Sequence, residues 1–161
     1  LSKNFGLSGW RVGYCISKPQ LMKDLRIIHQ HLLTCASVPL QKLLSENFDE
    51  IVRVTRPQIK KVVGKRARVV KYLEEKGFDV MPGSSTFYIF CSHPLLSDSD
   101  YNFDSFLEAG VAFVPGAGYG AAYKNHLRLS VGVESIERIR KAVDIIYSII
   151  KKRNSHFSNR S

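Results

Sequence analysis

Apolar residues recur every three or four positions near the start of the chain, which is the spacing of one face of an α-helix. Residues 19–33 carry such a series and begin with a proline, which the first turn of a helix tolerates. The members of the series are Leu21, Leu25, Ile28 and Leu32. We therefore expect a helix over residues 19–33 and a second helix over residues 39–51.

A third helical series follows Pro57. Its apolar positions continue as far as Gly77, a residue type that commonly ends helices. They are Ile59, Val62, Val63, Val69, Val70 and Leu73. The spacing predicts a helix of about twenty residues, which at about 1.5 Å per residue is long enough to link two domains.

Strand-like segments are more frequent after this helix. Several stretches alternate in polarity or are rich in β-branched and aromatic residues, which is typical of strands. Residues 102–109 predict a short helix, and residues 134–153 a long final helix with glutamates early and basic residues late, as the helix dipole favours. The predicted strands are residues 11–17, 86–92, 111–115 and 126–132.

Together these elements predict an α/β protein in three parts. We expect residues 1–50 to be the C-terminal remnant of a larger α/β domain. Residues 51–76 are expected to form the linking helix, and residues 77–161 a small α/β domain.

The composition is that of a folded, soluble protein. Apolar residues make up 44% and charged residues 24% of the chain, and no apolar run reaches the roughly 18 residues of a membrane helix. The formal net charge is +10, but the basic residues are spread over several predicted helices. We therefore expect neither nucleic-acid nor membrane binding, and we interpret the basic run at residues 64–71 as a solvated helix face.

Three cysteines, Cys15, Cys35 and Cys91, are widely spaced and form no C-x-x-C pair. This pattern indicates free thiols in a reducing compartment, so we expect a cytoplasmic location, while a targeting segment upstream of the sequence stays open. His29 and His31 lie two apart on a predicted helix and so face different directions. We therefore expect no metal site.

The first residues combine an amine and a guanidinium around a glycine-rich turn. Lys3 and Arg11 are separated by a segment that contains Gly6 and Gly9, so both side chains could reach one small ligand. A lysine amine suits an aldehyde, and a forked guanidinium suits a phosphate. Pyridoxal phosphate carries both groups. The alternative is that Lys3 is only a solvated charge.

A second cationic candidate lies in the segment HLRLSVG. Strand alternation would place Arg128 on one face together with His126 and Ser130, while the leucines at 127 and 129 face the apolar side. Such an arginine is suited to bind a carboxylate. The alternative is an exposed arginine on an edge strand.

The segment S-K-N-F-G-L-S-G-W-R-V-G resembles the lysine motif of the class I/II pyridoxal-phosphate-dependent aminotransferases, the fold type I family. The resemblance implies that Lys3 is the catalytic Schiff-base lysine and that Arg11 binds the cofactor phosphate. HLRLSVG is similar to the family's R-L-S-x-G strand, which implies that Arg128 binds the substrate α-carboxylate. GSSTFYIF resembles the family's G-x-F-Y-x-F strand, which implies that Phe87 borders the substrate pocket, although core packing would also explain Phe87.

A further loop, VAFVPGAGYG, resembles the family's V-x-V-x-P-G segment before the arginine strand. We interpret Gly116 there as a residue required by close backbone approach. The motif departs from the family in one respect, because the small residue that the family has one place before Leu1 is not in this sequence.

The resemblance covers essentially the whole chain and implies the C-terminal part of an aminotransferase. The implied fold is the end of the large domain, a linking helix and the small α/β domain, and the implied cofactor is pyridoxal 5'-phosphate. The implied substrates are an amino acid and a 2-oxo acid, and the implied full-length assembly is a homodimer. We expect the fragment alone to be inactive, since the family's other cofactor contacts precede the lysine. The alternatives are a lyase on the same scaffold and a non-catalytic binding module.

Overall fold

In the computed structural model the chain forms four α-helices and a four-stranded sheet within the described residues. These are residues 1–84, 86–98 and 103–158, with the backbone alone described for residues 154–158. The helices are α1 (Pro19–Leu33), α2 (Val38–Glu75), α3 (Phe103–Glu108) and α4 (Ile136–Ser158). The strands are β1 (Asp79–Val80), β2 (Tyr88–Ser92), β3 (Val114–Pro115) and β4 (His126–Ser130).

The chain divides into two compact units, residues 1–60 and residues 61–161. The boundary lies inside helix α2, so the linking helix predicted over residues 51–76 is part of a longer helix that begins at Val38. The division into a large-domain remnant, a linking helix and a small domain stays a prediction.

The first unit contains α1 and the first part of α2. The predicted helix over residues 19–33 is confirmed by α1, but no residue of α1 is buried. The strand predicted over residues 11–17 is wrong, because no strand forms anywhere in residues 1–60. A strand is held by hydrogen bonds to a neighbour, and residues 1–60 supply no neighbouring strand.

Helix α2 merges two helices that the sequence predicted separately. The predicted start at Pro57 is wrong, because α2 runs through Pro57, whose missing N–H removes a single helical hydrogen bond. The interruption lies at Asn47 instead, with φ −122° and ψ 15°. The side-chain amide of Asn47 donates to the Leu43 carbonyl at 2.9 Å, which satisfies a backbone acceptor at the bend.

The predicted helix end at Gly77 is confirmed. Gly77 has φ +83°, the left-handed conformation that favours glycine. The Phe78 N–H donates to the Leu73 carbonyl at 3.0 Å, and the Gly77 N–H donates to the Glu74 carbonyl at 2.9 Å. This is a Schellman motif, and Leu73 and Phe78 carry its apolar contact into the core.

The sheet of the second unit is antiparallel, with strand order β1-β2-β4-β3. Three of its strands were predicted, while β1 was missed because two residues give no periodicity. The predicted helices over residues 102–109 and 134–153 correspond to α3 and α4, although Asn102 lies outside the described residues. Fully buried side chains come from β2 and β4, from the residue after β4, and from helices α2, α3 and α4: Val69, Leu73, Ile89, Cys91, Phe106, Leu127, Val131, Val143, Ile146 and Ile150.

The basic run at residues 64–71 is not simply a solvated face, and this interpretation is corrected. Arg66 is only 8% exposed, and its Nε donates to the Tyr88 carbonyl at 3.1 Å. The Lys65 Nζ donates to the carbonyls of Gly132 and Glu134 at 3.1 and 2.8 Å. The two cations therefore hold the start of β2 and the loop after β4 against α2, a role that side-chain charge alone does not reveal.

Candidate active site

Lys3 lies in a short turn at the start of the first unit. The Phe5 N–H donates to the Leu1 carbonyl at 3.0 Å, so the backbone closes one turn around the lysine. The Phe5 ring packs edge-on against the Phe48 ring of α2, with centroids 5.7 Å apart. This contact joins the turn to a helix, and the Lys3 side chain is exposed.

Arg11 lies at the end of a 3-10 helix, Ser8–Trp10, in the left-handed conformation with φ +53°. A non-glycine residue there is uncommon, and such conformations cluster at ligand sites. One Arg11 nitrogen, Nη1, donates to the Ser8 carbonyl at 3.1 Å, which fixes part of the guanidinium and leaves its other donors available.

Lys3 and Arg11 line one concavity of about 390 Å³. The turn around Lys3 and the 3-10 helix before Arg11 thus bring the two predicted residues together, although seven residues separate them in the sequence. The other lining residues are Leu1, Ser2, Asn4, Val12 and Gly13. An amine and a guanidinium at one surface provide the donor set for a small ligand that carries an aldehyde and an anion.

Arg128 lies on β4 in the second unit, and its predicted facing is confirmed. Along β4 the burial alternates, with Leu127 and Leu129 buried and Arg128 half-buried on the opposite face. Phe90 of β2 is its direct partner in the antiparallel ladder. The sheet therefore presents the guanidinium on the side away from the leucine core.

Two tyrosine rings lie against the Arg128 guanidinium. Its Cζ atom is 4.6 Å from the Tyr88 ring centroid and 5.5 Å from the Tyr119 ring centroid. Among the described residues no carboxylate pairs with Arg128. An arginine in an aromatic setting with no internal anion keeps its planar donors for a bound carboxylate.

The loop between β3 and β4 carries Tyr119. It begins with Gly116, whose position confirms the predicted close approach, because an added Cβ would lie 2.1 Å from the Tyr123 carbonyl oxygen. Tyr119 and Tyr123 each meet the Phe90 ring edge-on at 5.5 Å. The loop is therefore attached to the sheet through aromatic contacts next to Arg128.

Phe87 packs against the core of the second unit. Its Cδ2 would lie 3.3 Å from a Cβ added at Gly132, so the ring occupies the space that the glycine leaves open. The next residue, Tyr88, contacts the guanidinium instead. The structure thus brings Tyr88 to Arg128 and places Phe87 beside the loop that follows β4.

The cysteines differ in their exposure, and none is in a disulfide. Cys15 and Cys35 are exposed, whereas Cys91 is fully buried in β2. Burial raises the pKa of the Cys91 thiol to about 12, which makes it a poor nucleophile.

Within the described ranges no cluster of three metal-ligating side chains occurs, and no described helix is long and apolar enough to cross a bilayer.

Comparison with known proteins identifies the family to which this chain belongs. The model of the family "Aminotransferase class I and II" matches residues 1–146, and the chain belongs to this family. A probable N-acetyl-LL-diaminopimelate aminotransferase from Bacillus subtilis is 32% identical over 162 residues, covering 96% of this chain and 40% of that protein. The chain therefore spans about 40% of the length of the curated relatives that it matches.

Solved structures agree on the fold. A Methanococcus jannaschii protein, described as similar in its active site to kynurenine aminotransferases, superposes with a TM-score of 0.73 at 26% identity, covering 92% of this chain and 40% of that one. The alpha-aminoadipate aminotransferase from Thermus thermophilus, solved with N-(5'-phosphopyridoxyl)-L-leucine, gives 0.66 at 22% identity over 90% of this chain and 39% of its own. The predicted fold class, part of a fold type I aminotransferase, is confirmed.

Neither Tyr119 nor Tyr88 was predicted from the sequence to lie at the site. Tyr88 could have been found, since alternation along β2 places it opposite Ile89 and on the side of Arg128. Tyr119 gave no such signal, because its position depends on two consecutive 3-10 turns, Gly116–Tyr119 and Ala121–Tyr123.

Proposed function

We propose that this chain is the C-terminal part of a pyridoxal-phosphate-dependent aminotransferase that transfers an amino group between an amino acid and a 2-oxo acid. The observation that carries the proposal is the shared concavity of Lys3 and Arg11 in a chain of the aminotransferase family. Because the chain spans about 40% of its relatives, we expect activity only in the enzyme that contains it, and not in these residues alone.

Lys3 and Arg11 have the chemistry needed to hold the cofactor. Lys3 would bind its aldehyde carbon through the side-chain amine, and Arg11 would bind its phosphate through the guanidinium donors not used by Ser8. When bound, pyridoxal phosphate supplies the aldehyde that receives the amino group and a ring that takes up an electron pair. The amine of Lys3, once displaced by substrate, would act as the base that moves the proton from the substrate Cα.

Arg128 would bind the α-carboxylate of the amino acid and of the 2-oxo acid. The absence of an internal carboxylate partner among the described residues supports this role. Phe87 would border the substrate pocket, with its ring packed beside Gly132. Amino-group transfer with a single carboxylate site for both substrates implies ping-pong kinetics.

The assembly and location belong to the same proposal. We propose a homodimer in the full-length enzyme, as the family resemblance implies. The free cysteines suit a reducing compartment, which supports a cytoplasmic location. The large-domain, linking-helix and small-domain division over residues 1–50, 51–76 and 77–161 is part of this proposal.

The reaction type is tested by following nitrogen in the holoenzyme that carries this chain. A transaminase should convert an amino acid to its 2-oxo acid once per cofactor, and then stop until a second oxo acid is added. Release of free ammonia with continued turnover and no oxo acid would contradict the proposal and indicate a lyase.

The Arg128→Gln variant should raise the KM for amino acids by about 100-fold, since a charged hydrogen-bond pair is lost.

A further inference from the structure

The setting of Arg128 contains more than the arginine. A half-buried guanidinium that pairs with no carboxylate of the described residues needs another means of holding its orientation, because the side chain has several rotatable bonds. The rings of Tyr88 and Tyr119 lie against it, with centroids 4.6 and 5.5 Å from its Cζ atom. A cation within this distance of a ring face is attracted by the ring quadrupole.

The two rings come from different parts of the second unit. Tyr88 is fixed by β2, where Arg66 also donates to its carbonyl. Tyr119 comes from the loop before β4 and is held edge-on to Phe90 at 5.5 Å. Phe90 in turn lies directly opposite Arg128 in the strand ladder. The guanidinium is therefore placed by a strand and a loop that contact each other through one phenylalanine.

Rings against the guanidinium leave its N–H groups for an anion. Hydrogen bonds to the planar donors lie in the plane of the guanidinium, whereas cation–π contact uses its face. We therefore expect a carboxylate to bind in the guanidinium plane while both tyrosines stay in place.

We propose that Tyr119, together with Tyr88, is a positioning residue that holds Arg128 for binding the substrate α-carboxylate. This inference rests on the proposed function of Arg128. It adds that the aromatic contact of Tyr119, and not its hydroxyl, sets the affinity of the site for carboxylates. Both amino acid and 2-oxo acid should depend on it equally, since they share that carboxylate.

The test compares two tyrosines that both pack edge-on against the Phe90 ring, of which Tyr123 also packs edge-on against His126 at 5.3 Å. Tyr119 and Tyr123 both lie 5.5 Å from the Phe90 ring in edge-on geometry, but only Tyr119 contacts the guanidinium. In the holoenzyme, Tyr119→Leu should raise the KM for the amino acid and the oxo acid about fivefold, with kcat changed less than about twofold. Tyr123→Leu should leave both KM values within about twofold, and Tyr119→Phe should restore the wild-type KM because the ring face is kept.

An amine substrate without an α-carboxylate separates positioning from general structural damage. The fivefold penalty of Tyr119→Leu should be absent with such an amine. An equal penalty with the amine, or an unchanged KM for the amino acid, would overturn the inference.

The Arg128→Gln variant, measured in parallel, separates this inference from the proposed function. If Arg128→Gln raises the KM while Tyr119→Leu does not, the positioning role alone is wrong. If Arg128→Gln leaves the KM unchanged, the carboxylate role of Arg128 is wrong, and the positioning role falls with it.

Discussion

At the scale of single residues, Gly116 shows how a backbone contact determines the residue type. An added Cβ would lie 2.1 Å from the Tyr123 carbonyl oxygen and 2.7 Å from the His126 Cβ. Neither atom is the flexible end of a side chain, so the loop would have to move. Because this loop carries Tyr119, its packing affects both stability and the surroundings of Arg128.

Replacing Gly116 by alanine should therefore be costly. We expect Gly116→Ala to lower the free energy of unfolding by roughly 2 kcal/mol or more, as overpacking of a buried position does. Gly118→Ala is the matched control in the same loop, since a Cβ there meets nothing within 4 Å. Urea unfolding of the two variants measures the difference, and equal stabilities would contradict the steric account.

His93 is a buried histidine of the second unit whose hydrogen bonds define its neutral form. Its Nδ1 accepts from the Leu95 N–H at 3.1 Å, so the proton must lie on Nε2, which donates to the Lys76 carbonyl at 3.3 Å. Burial lowers the pKa of His93 from its ordinary value of 6.5, although the bond to the Lys76 carbonyl opposes this shift. Protonation of Nδ1 would also break the bond from Leu95.

This lowered pKa gives stability a defined pH dependence. Below about pH 6.5 His93 binds a proton in the unfolded chain but not in the folded chain. The free energy of unfolding therefore decreases as the pH is lowered from 6.5 to the pKa of His93 in the folded chain. Above pH 6.5 the contribution is fully present. His93→Gln should remove this part of the slope, as urea unfolding between pH 5 and 7.5 would reveal. An NMR titration midpoint for His93 at or above 6.5 would disprove the explanation.

Individual site residues differ in how far the sequence predicted them. Alternation correctly placed Arg128 on the polar side of β4, because a strand has only two faces. The proximity of Lys3 and Arg11 followed from a glycine-rich turn. Tyr119 could not be predicted, since its position depends on the dihedral angles of a loop, which residue type alone does not determine.

At the scale of elements, the sequence predicted the presence of the helices more accurately than the residues at which they begin and end. The end of α2 was predictable because Gly77 supplies a backbone conformation that other residues rarely adopt. The passage of α2 through Pro57 was not, because losing one hydrogen bond can be outweighed by the rest of a long helix. The strand predicted over residues 11–17 failed because pairing, unlike helix formation, needs a second segment.

The glycine at the end of α2 can be tested against a glycine inside it. Gly77→Ala should lower the free energy of unfolding by about 1–2 kcal/mol, because alanine is strained at φ +83°. Gly64→Ala, in the middle of the same helix, should raise it by about 0.5–1 kcal/mol, since its surroundings are open and alanine favours helices. Thermal or urea unfolding gives both values. A stabilising Gly77→Ala would contradict the assignment of the Schellman motif.

At the scale of the whole molecule, the chain has a well-buried core in its second unit and little burial in its first. Helix α1 leaves its predicted apolar series exposed, with Leu21, Ile28 and Leu32 at 50%, 56% and 75%. Periodicity predicts that a helix forms, but burial depends on what packs against it. The chain corresponds to about 40% of its relatives, so catalysis is a property to be measured on the enzyme that carries it.

The mechanism depends on Lys3 being the lysine that binds the cofactor, and this can be measured directly. The holoenzyme is reduced with borohydride, which makes the link between the cofactor aldehyde and a lysine amine permanent, and its peptides are analysed by mass spectrometry. We expect one pyridoxyl-modified lysine, Lys3, and no cofactor retained after reduction of the Lys3→Ala variant. A modification at any other lysine, or an unmodified Lys3 in active enzyme, would contradict the assignment on which the mechanism depends.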